Sequence, residues 1–275
     1  MWDLRLGRWQ EALADVEHVD AVIVDAPYSA RTHGGHDAAP GVDLDAYSRS
    51  THEKQKGGLS SGALRANGRL EKGYNRRAIN YAGWTAADVR EFVGSWAPRC
   101  RGWFVTITDH ALAPAWSSAL AACDRYVFAP LPWFAPGSRV RLTGDGPSSW
   151  TCWIVVARPR SGTFRDGTKA NKWGTLPGGY NVTSDRGAHI GGKPIALMEA
   201  LVRDYTRPGD LVCDPCAGYG TTLAAAVRNG RRAVGSELDS ETHAKALQYL
   251  DKHARQSDLF ESAAQTHAIN AELPW

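Results

Sequence analysis

The chain has 275 residues, of which 43% are hydrophobic and 22% charged, so it is long enough to bury one large α/β core. It has no run of about 18 uncharged apolar residues, and its first residues lack the basic-then-apolar pattern of a secretory signal. We therefore expect a cytoplasmic protein without a membrane span. The five cysteines are scattered among apolar residues, which favours reduced thiols.

The net charge of +3 is distributed unevenly. Residues 31–81 carry nine Lys and Arg against five Asp and Glu, and residues 158–193 carry seven against two. Such basic clusters are typical of nucleic-acid contact, although solvated loops often carry the same charge. Segment 31–83 also lacks periodicity over a length that is unusual inside a compact domain. We interpret 31–83 as a basic mobile arm and 158–192 as a second irregular basic segment.

Regular secondary structure is predicted around these two segments. Before the arm, the pattern predicts a strand at 4–6, a helix through Trp9, Leu13 and Val16, and the strand Ala21–Val24. Between the segments it predicts helix Ala86–Trp96, strand Gly102–Thr108, helix Ala111–Ala122, and strands Tyr126–Phe128 and Thr151–Ala157, which form a hairpin at the sheet edge.

The last third of the chain has the clearest alternation. A helix starts at Lys193-Pro194, and strand Leu211–Cys213, a helix to Asn229, strand Ala233–Gly235 and a helix capped by Asp239 or Ser240 follow. Strands that alternate with helices indicate a doubly wound, mostly parallel α/β sheet. We expect residues 1–275 to form a single domain.

The loop after strand Leu211–Cys213 has the composition of a nucleoside-binding turn. Gly218 and Gly220 allow close approach of a ligand to the backbone, and the following helix N-terminus favours an anion. Glu237 follows 19 residues after Gly218, at the end of the next strand, where an acid binds ribose hydroxyls. A dinucleotide dehydrogenase uses the same design, but it requires a small residue where this chain has Leu223.

The stretch DAVIVDAPYS ends a buried strand in Asp25, Pro27 and Tyr28. Taken alone, such an aspartate most simply caps the next turn, and the tyrosine is a rim aromatic. Two other patterns suggest metal ligands, namely Cys213 with Cys216 and His33 with His36. Neither is accompanied by further ligands at suitable spacing, so we expect no metal site.

Two motifs resemble one known family. The stretch DLVCDPCAGYGTTLAAAVRNGRRAVGSELD, preceded by GGKPIALMEALVRDY, resembles the AdoMet-binding region of amino DNA methyltransferases. DAPY resembles the catalytic Asp/Asn/Ser-Pro-Pro-Tyr motif of the same family, and its position before the cofactor motif resembles the beta class. The chain departs from the family pattern at Cys216, where Phe is usual, and at Ala26, where the first Pro is usual.

This resemblance implies S-adenosyl-L-methionine (AdoMet) as cofactor, bound by region 193–254 of an AdoMet-dependent methyltransferase fold. The residues that match the family's cofactor elements are Lys193, Asp214, Pro215, Cys216, Ala217, Gly218, Gly220, Thr221, Thr222 and Glu237. The catalytic and cofactor strands would then lie side by side at the switch point of the sheet, where ligands bind.

The resemblance also implies how the first motif acts on a base. An exocyclic amine is a poor nucleophile because its lone pair is conjugated with the ring. Asp25 would accept one hydrogen bond from the amine, and the carbonyl of Ala26 or Pro27 the other. Tyr28 would stack on a base flipped out of the duplex. The methyl group then passes directly from the sulfonium, without a covalent enzyme intermediate.

The implied substrate is double-stranded DNA. An Asp at the head of the motif favours adenine N6 over the alternative, cytosine N4. Further alternatives are a non-catalytic DNA-binding subunit, an RNA or protein substrate, and, least favoured, an NAD-dependent dehydrogenase. The resemblance is compatible with a homodimer and with a role in restriction-modification, although a cognate restriction enzyme is not visible from the sequence.

Two regions are candidates for DNA-sequence recognition. Segment 158–192 is the candidate target-recognition segment, in which Trp173 and Tyr180 could stack on or wedge into DNA. The arginines of the arm are candidates for base or phosphate contacts, and the sequence does not separate the two roles. They are Arg31, Arg49, Arg65, Arg69, Arg76 and Arg77.

Overall fold

The structure is a computed structural model that describes residues 1–33, 82–136, 147, 149–160, 174–183 and 192–253. Most of the predicted basic arm and the greater part of segment 158–192 lie outside the described residues.

One mixed sheet of nine strands organises the described part of the chain. In chain order the strands are β1 (Trp2–Leu6), β2 (Ala21–Val24), β3 (Phe104–Thr108), β4 (Arg125–Val127), β5 (Leu131–Phe134), β6 (Thr151–Pro159), β7 (Tyr180–Asn181), β8 (Leu211–Asp214) and β9 (Arg232–Glu237).

The strand order is β1-β9-β8-β2-β3-β6-β5-β7, and β4 pairs with β6 off this path. The first five strands in this order are mutually parallel. β6 runs antiparallel to β3, β4 and β5, and β7 is parallel to β5. The sheet is therefore parallel on the side that holds the C-terminal strands and mixed on the other side.

Seven helices are seen in the described residues. They are α1 (Trp9–Ala12), α2 (Ala30–His33), α3 (Ala86–Trp96), α4 (Ala113–Ala122), α5 (Ile195–Tyr205), α6 (Thr221–Arg228) and α7 (240–253). The start of α3 is fixed by a capping box between Thr85 and Asp88, which satisfies backbone N–H groups that the first helical turn leaves open. Asp239 caps α7 by accepting hydrogen bonds from Thr242.

The helices cover both faces of the sheet and bury one apolar core on each. One core contains Leu201 of α5 and Ala225 of α6, packed against Ile23 of β2. The other contains Phe92 of α3 and Trp116 of α4. Central strands β2 and β3 are buried along their whole length, as expected for parallel strands covered on both faces. The predicted doubly wound α/β class is confirmed.

Most predicted elements are present at or near their expected bounds. Strand β2 and helix α3 match the predicted ranges, and the sequence located α5, α6 and the strands between them to within a few residues. The predicted pairing of strands 126–128 and 151–157 is present as β4 and β6. The helix that was predicted to run through Val16 is shorter than expected: α1 ends at Ala12.

Strands β5 and β7 were not predicted. β5 has the sequence LPWF, and a proline inside a short run argues against a strand unless the strand is irregular or at an edge. β7 has two residues, too few to produce an alternating pattern. Because these strands pair with β6 and with β5, the hairpin is extended into a mixed half-sheet.

Candidate functional site

Three carboxylates lie at the ends of three adjacent parallel strands. Asp25 follows β2 directly, Asp214 is the last residue of β8, and Glu237 is the last residue of β9. Because the three strands are neighbours in the order β9-β8-β2, these residues lie at the same carboxyl edge of the sheet. The sheet thus joins residues about 190 and 210 positions apart in sequence.

The crevice between β8 and β2 is a topological switch point. From β8 the chain continues through α6 to β9 on one side, and from β2 it continues through α3 to β3 on the other. Such divergence opens a crevice outside the carboxyl ends of the strands, where ligands of open α/β sheets bind. An open cleft of about 1360 Å³ occupies this edge and is lined by Asp25, Asp214 and Glu237. The predicted side-by-side placement of the two motifs is present.

Lys193 contacts the first motif directly. Its Nζ donates to Asp25 Oδ2 at 2.5 Å and lies 4.8 Å from the centroid of the Tyr28 ring. The two charged side chains are mostly buried, with 10% of Lys193 and 22% of Asp25 exposed. The family motif groups Lys193 with the cofactor residues, and the structure places its ammonium on Asp25 within the cleft that the two motifs share.

Tyr28 is buried rather than a rim aromatic. Only 8% of the residue is exposed, and its hydroxyl donates to the Cys152 sulfur at 3.7 Å. The ring belongs to the core on the α5 side of the sheet. Pro27 lines the cleft beside Asp25, whereas Ala26 packs in the opposite core. The motif is therefore held from both faces of the sheet, which fixes the direction of Asp25.

Asp109 anchors the end of this motif and was not identified from the sequence. It follows β3, and its Oδ2 accepts hydrogen bonds from Ser29 N at 3.0 Å, Ser29 Oγ at 2.5 Å and Thr32 Oγ1 at 2.6 Å. Burial alone would raise the pKa of Asp109, but the hydrogen bonds from Ser29 and Thr32 outweigh it and hold the pKa below its usual range. One feature of the sequence could have indicated this role: Asp109 directly follows a predicted buried strand.

The glycine-rich turn has a backbone conformation that favours glycine. Gly218 and Gly220 have φ angles of 53° and 78°, in the left-handed region that favours glycine. Cys216 N donates to Asp214 Oδ1 at 3.1 Å, and Ala217 N donates to Ser236 O at 2.9 Å. The turn is therefore tied to β8 and β9, and α6 begins at its end with Thr221.

The departure at Leu223 has a structural explanation. Close packing of a helix on a strand requires a small residue on one of the two elements, and here the strand supplies it. A Cβ added to Gly235 of β9 would lie 3.1 Å from Leu223 Cδ1 and 2.6 Å from Asp214 O. Leu223 is fully buried. The tight helix–strand packing is thus kept with the small residue on the strand.

Burial dominates the electrostatics of the cleft. It raises the pKa of Asp214 to about 7, nearby Asp25 and Glu237 add to the shift, and the hydrogen bonds from Thr222 and Cys216 oppose it. Burial also raises the pKa of Glu237, whose Oε1 accepts from Asp239 N at 2.8 Å. A cationic ligand would relieve the repulsion among these carboxylates, so the cleft suits a ligand with positive charge.

The remaining predicted contacts fall into two groups. Trp173 and the arm arginines beyond Arg31 lie outside the described residues. Tyr180 is described: the residue is 8% exposed and its hydroxyl donates to Asp204 Oδ2 at 2.7 Å, so its contact with DNA stays a prediction. Its position on β7 turns the ring into the core.

No helix in the described ranges is both long enough and apolar enough to cross a bilayer. In the same ranges, no three His, Cys, Asp or Glu side chains are grouped so that they could hold a metal ion.

Comparison with known proteins identifies the class of this fold. The M1.HpyAVI–SAM complex covers 91% of this chain and 99% of its own length with a TM-score of 0.59 and 18% identity. The cytosine-N4-specific PvuII DNA methyltransferase covers 93% of this chain and 92% of its own length with a TM-score of 0.52 and 13% identity. The described architecture is therefore the fold of the AdoMet-dependent methyltransferases.

Sequence comparison finds similarity to DNA methyltransferases. Residues 136–248 match the N6/N4 methyltransferase model, described as DNA methylase. DNA adenine methyltransferase YhdJ of Escherichia coli is 42% identical over 59 residues, 22% of this chain and 20% of that protein. Type II methyltransferase M.HindIII of Haemophilus influenzae is 27% identical over 186 residues, 63% of this chain and 57% of that protein.

The matched stretches thus span between a fifth and somewhat more than half of these relatives. Residues 136–248 match the model of the N6/N4 DNA methylases, and the predicted resemblance to this family is confirmed. DAPY lies N-terminal to the matched region.

Proposed function

We propose that this protein is a DNA methyltransferase that transfers a methyl group from AdoMet to the exocyclic N6 of a flipped-out adenine. One observation carries the proposal. Asp25 of the first motif and the Asp214–Glu237 unit of the second open into the same cleft, although they are far apart in sequence. A cofactor bound on one side of this cleft would face a base held on the other.

The residues around the glycine-rich turn fit AdoMet. Glu237 lies at the end of β9, where a carboxylate can accept hydrogen bonds from two ribose hydroxyls. At Gly218 a Cβ would meet nothing within 4 Å, so the backbone there borders open space. AdoMet is a cation that supplies an electrophilic methyl group when bound. The carboxylates of Asp214 and Glu237 favour that charge.

Asp25 is the group that prepares the amine. Its carboxylate accepts a hydrogen bond from one N–H, the carbonyl of Ala26 or Pro27 accepts from the other, and electron density moves toward the nitrogen. When AdoMet is bound, the N–C bond would form as the methyl–sulfur bond breaks, and the sulfonium would keep that electron pair and leave as a neutral thioether. The nitrogen would then release one proton to solvent along its hydrogen bond to Asp25. These residues hold and activate the amine, so no nucleophilic side chain is needed.

Tyr28 supports the base on the same side of the cleft. Lys193 Nζ contacts both the Asp25 carboxylate and the face of the Tyr28 ring, so these two groups border one small space. A base whose amine reaches Asp25 would lie against Tyr28. Base–aromatic stacking contributes about 1–3 kcal/mol and offsets part of the cost of flipping.

Adenine is favoured by the Asp head of the motif and by the name of the adenine-methylating relative YhdJ. The alternative is cytosine N4, because the PvuII enzyme, which is named as cytosine-N4-specific, shares the fold. Asp25 and both glycines are present, which opposes a non-catalytic subunit. Double-stranded DNA is the expected partner of the two basic segments, and a homodimer, a restriction partner and a cytoplasmic location remain predictions.

A transfer assay with three acceptors tests this function. The protein is incubated with AdoMet labelled in the methyl group and with double-stranded DNA, total RNA or a protein extract, and label is counted in each acceptor. We expect label in DNA alone. Label confined to RNA or protein would overturn the proposal, and so would the absence of transfer from a protein that binds AdoMet.

A further inference from the structure

Lys193 occupies a place that the proposed reaction assigns to the substrate. Its ammonium donates to Asp25 Oδ2 at 2.5 Å and lies 4.8 Å from the centroid of the Tyr28 ring. In the proposed reaction, the target amine donates to the same carboxylate while its base stacks on the same ring. An ammonium and an exocyclic amine are both N–H donors of similar size, so either group can donate to the Asp25 carboxylate.

We propose, on the basis of the function proposed above, that Lys193 is a positioning residue that holds Asp25 ionised and oriented until the target amine displaces it. Such a residue does not touch the methyl group. It acts through Asp25, which accepts hydrogen bonds from an amine only as a carboxylate.

The surroundings of Asp25 explain why a cation is needed. Asp214, at the end of the neighbouring strand, and Cys216, in the following turn, interact electrostatically with Asp25 from the β8 side. Asp25 is mostly buried, so these neighbouring groups act on it with little screening by water. Lys193 supplies the opposing positive charge at hydrogen-bonding distance.

The backbone beside Lys193 is fixed. Pro194 is the N-cap of α5, and its carbonyl accepts hydrogen bonds from Leu197 N at 3.1 Å and Met198 N at 3.2 Å. Both of these residues are buried in the core. The start of α5 therefore holds Lys193 against the catalytic motif. Its four-carbon side chain remains able to swing aside when an amine enters.

The pH dependence of the reaction follows from this geometry. A cation within about 4–6 Å lowers the pKa of a carboxylate by about 1–3 units. In Lys193→Met this effect is removed, so the pKa of Asp25 rises and the carboxylate is protonated at a higher pH. The acid limb of kcat/KM, which reports the free enzyme, should move upward by about one unit or more. The acid limb of kcat, which reports the enzyme with substrate bound, should move less, because the target amine has already displaced Lys193 from Asp25 in that state.

Three variants separate this role from general damage. Lys193→Arg keeps the charge and should keep the acid limb near its original pH. Lys252→Met removes an exposed lysine of α7 that does not line the cleft, and it should leave the limb in place. The affinity of each variant for AdoMet, measured by calorimetry, should change little. The proposal would be overturned if the acid limb of Lys193→Met stayed at the wild-type pH. It would also be overturned if weaker binding of AdoMet were the only defect of this variant.

A second measurement is independent of DNA. The Asp25 side-chain carboxyl, labelled with carbon-13, is titrated by NMR in the free wild-type protein and in Lys193→Gln. We expect the midpoint to rise by about one unit or more in the variant. An unchanged midpoint overturns the role of Lys193, whereas a wild-type protein that transfers no methyl group to DNA overturns the proposed function itself.

Discussion

Asp25 is the residue on which the proposed chemistry depends most. Asp25→Asn keeps the shape of the side chain but replaces an acceptor oxygen with an NH₂ group that faces the amine. We expect the rate of methyl transfer to fall by at least about 100-fold, as when one hydrogen-bonding group is removed at other reacting centres. AdoMet affinity should remain close to that of the wild type.

Methyl transfer under single-turnover conditions and calorimetry measure these two quantities. Asp124→Asn is a suitable control, because Asp124 is exposed and distant in sequence from both motifs, and its backbone φ of 54° is one that Asn tolerates. A variant of Asp25 that retained the wild-type rate would contradict the assigned role.

Asp214 couples stability to pH. Its pKa is raised by burial to about 7 in the folded protein, from an ordinary value of 3.8. The stability that Asp214 contributes is therefore fully present below pH 3.8 and is lost as the pH rises toward 7. A cationic ligand favours the charged carboxylate, so AdoMet should bind more tightly as the pH rises through this range.

Urea unfolding at several pH values measures the first effect. The free energy of unfolding of Asp214→Asn should lose this component, which is on the order of a few kcal/mol. If the wild type and the variant showed the same pH dependence between 4 and 8, the assignment of the shift to Asp214 would be wrong.

At the scale of elements, the packing of α6 on β9 determines the shape of the cofactor turn. Gly235→Ala would place a Cβ 2.6 Å from Asp214 O, a backbone atom that cannot give way locally. We expect a loss of about 1–3 kcal/mol in the free energy of unfolding and weaker AdoMet binding, because both Asp214 and Glu237 would shift.

Gly94→Ala is the matched control. Gly94 lies on the exposed side of α3, where a Cβ would meet nothing within 4 Å. In a helix interior this change should stabilise the protein by up to about 1 kcal/mol. Thermal unfolding measures the stability of both variants, and calorimetry measures their affinity for AdoMet. A Gly235→Ala variant with wild-type stability and AdoMet affinity would show that β9 shifts without cost.

The sequence predicted the elements that combine strong periodicity with clear boundaries. Helix α3 begins at a capping box between Thr85 and Asp88, and its apolar positions recur at helical spacing up to its last residue, Trp96. The sequence predicted this range correctly. The C-terminal strands are bounded by glycines. β5 and β7 were missed because their order comes from pairing with β6 and with each other, which no local pattern records.

The site was predictable in part for the same reason. Asp25, Gly218, Gly220 and Glu237 follow from motif and spacing, and parallel topology brings them together. The hydrogen bond between Lys193 and Asp25 and the burial of Tyr28 were not predicted, because they depend on how α5 packs across the sheet edge. Tertiary packing decided both.

At the scale of the whole molecule, the basic arm is predicted to contribute DNA affinity. Trp84 N donates to Tyr28 O at 2.9 Å, so residues on either side of the arm are held together by the fold. Replacement of 34–81 with a short Gly/Ser linker should therefore leave the cleft intact. DNA affinity should fall, and the slope of log K against log salt should flatten by about 0.9 for each phosphate that the shortened protein no longer neutralises.

Filter binding or fluorescence anisotropy between about 50 and 200 mM salt measures this slope. AdoMet affinity of the shortened protein serves as the control for folding. A protein without the arm that bound DNA with unchanged affinity and salt dependence would show that the arm does not bind DNA.

Nucleoside mass spectrometry tests the central claim most directly. Double-stranded DNA is incubated with the protein and with AdoMet carrying an isotopically labelled methyl group, and the DNA is then digested to nucleosides. We predict labelled N6-methyladenine in the wild-type reaction and none with Asp25→Asn. Labelled N4-methylcytosine would keep the mechanism and correct the base, whereas DNA without label, despite demonstrated AdoMet binding, would contradict the proposed function.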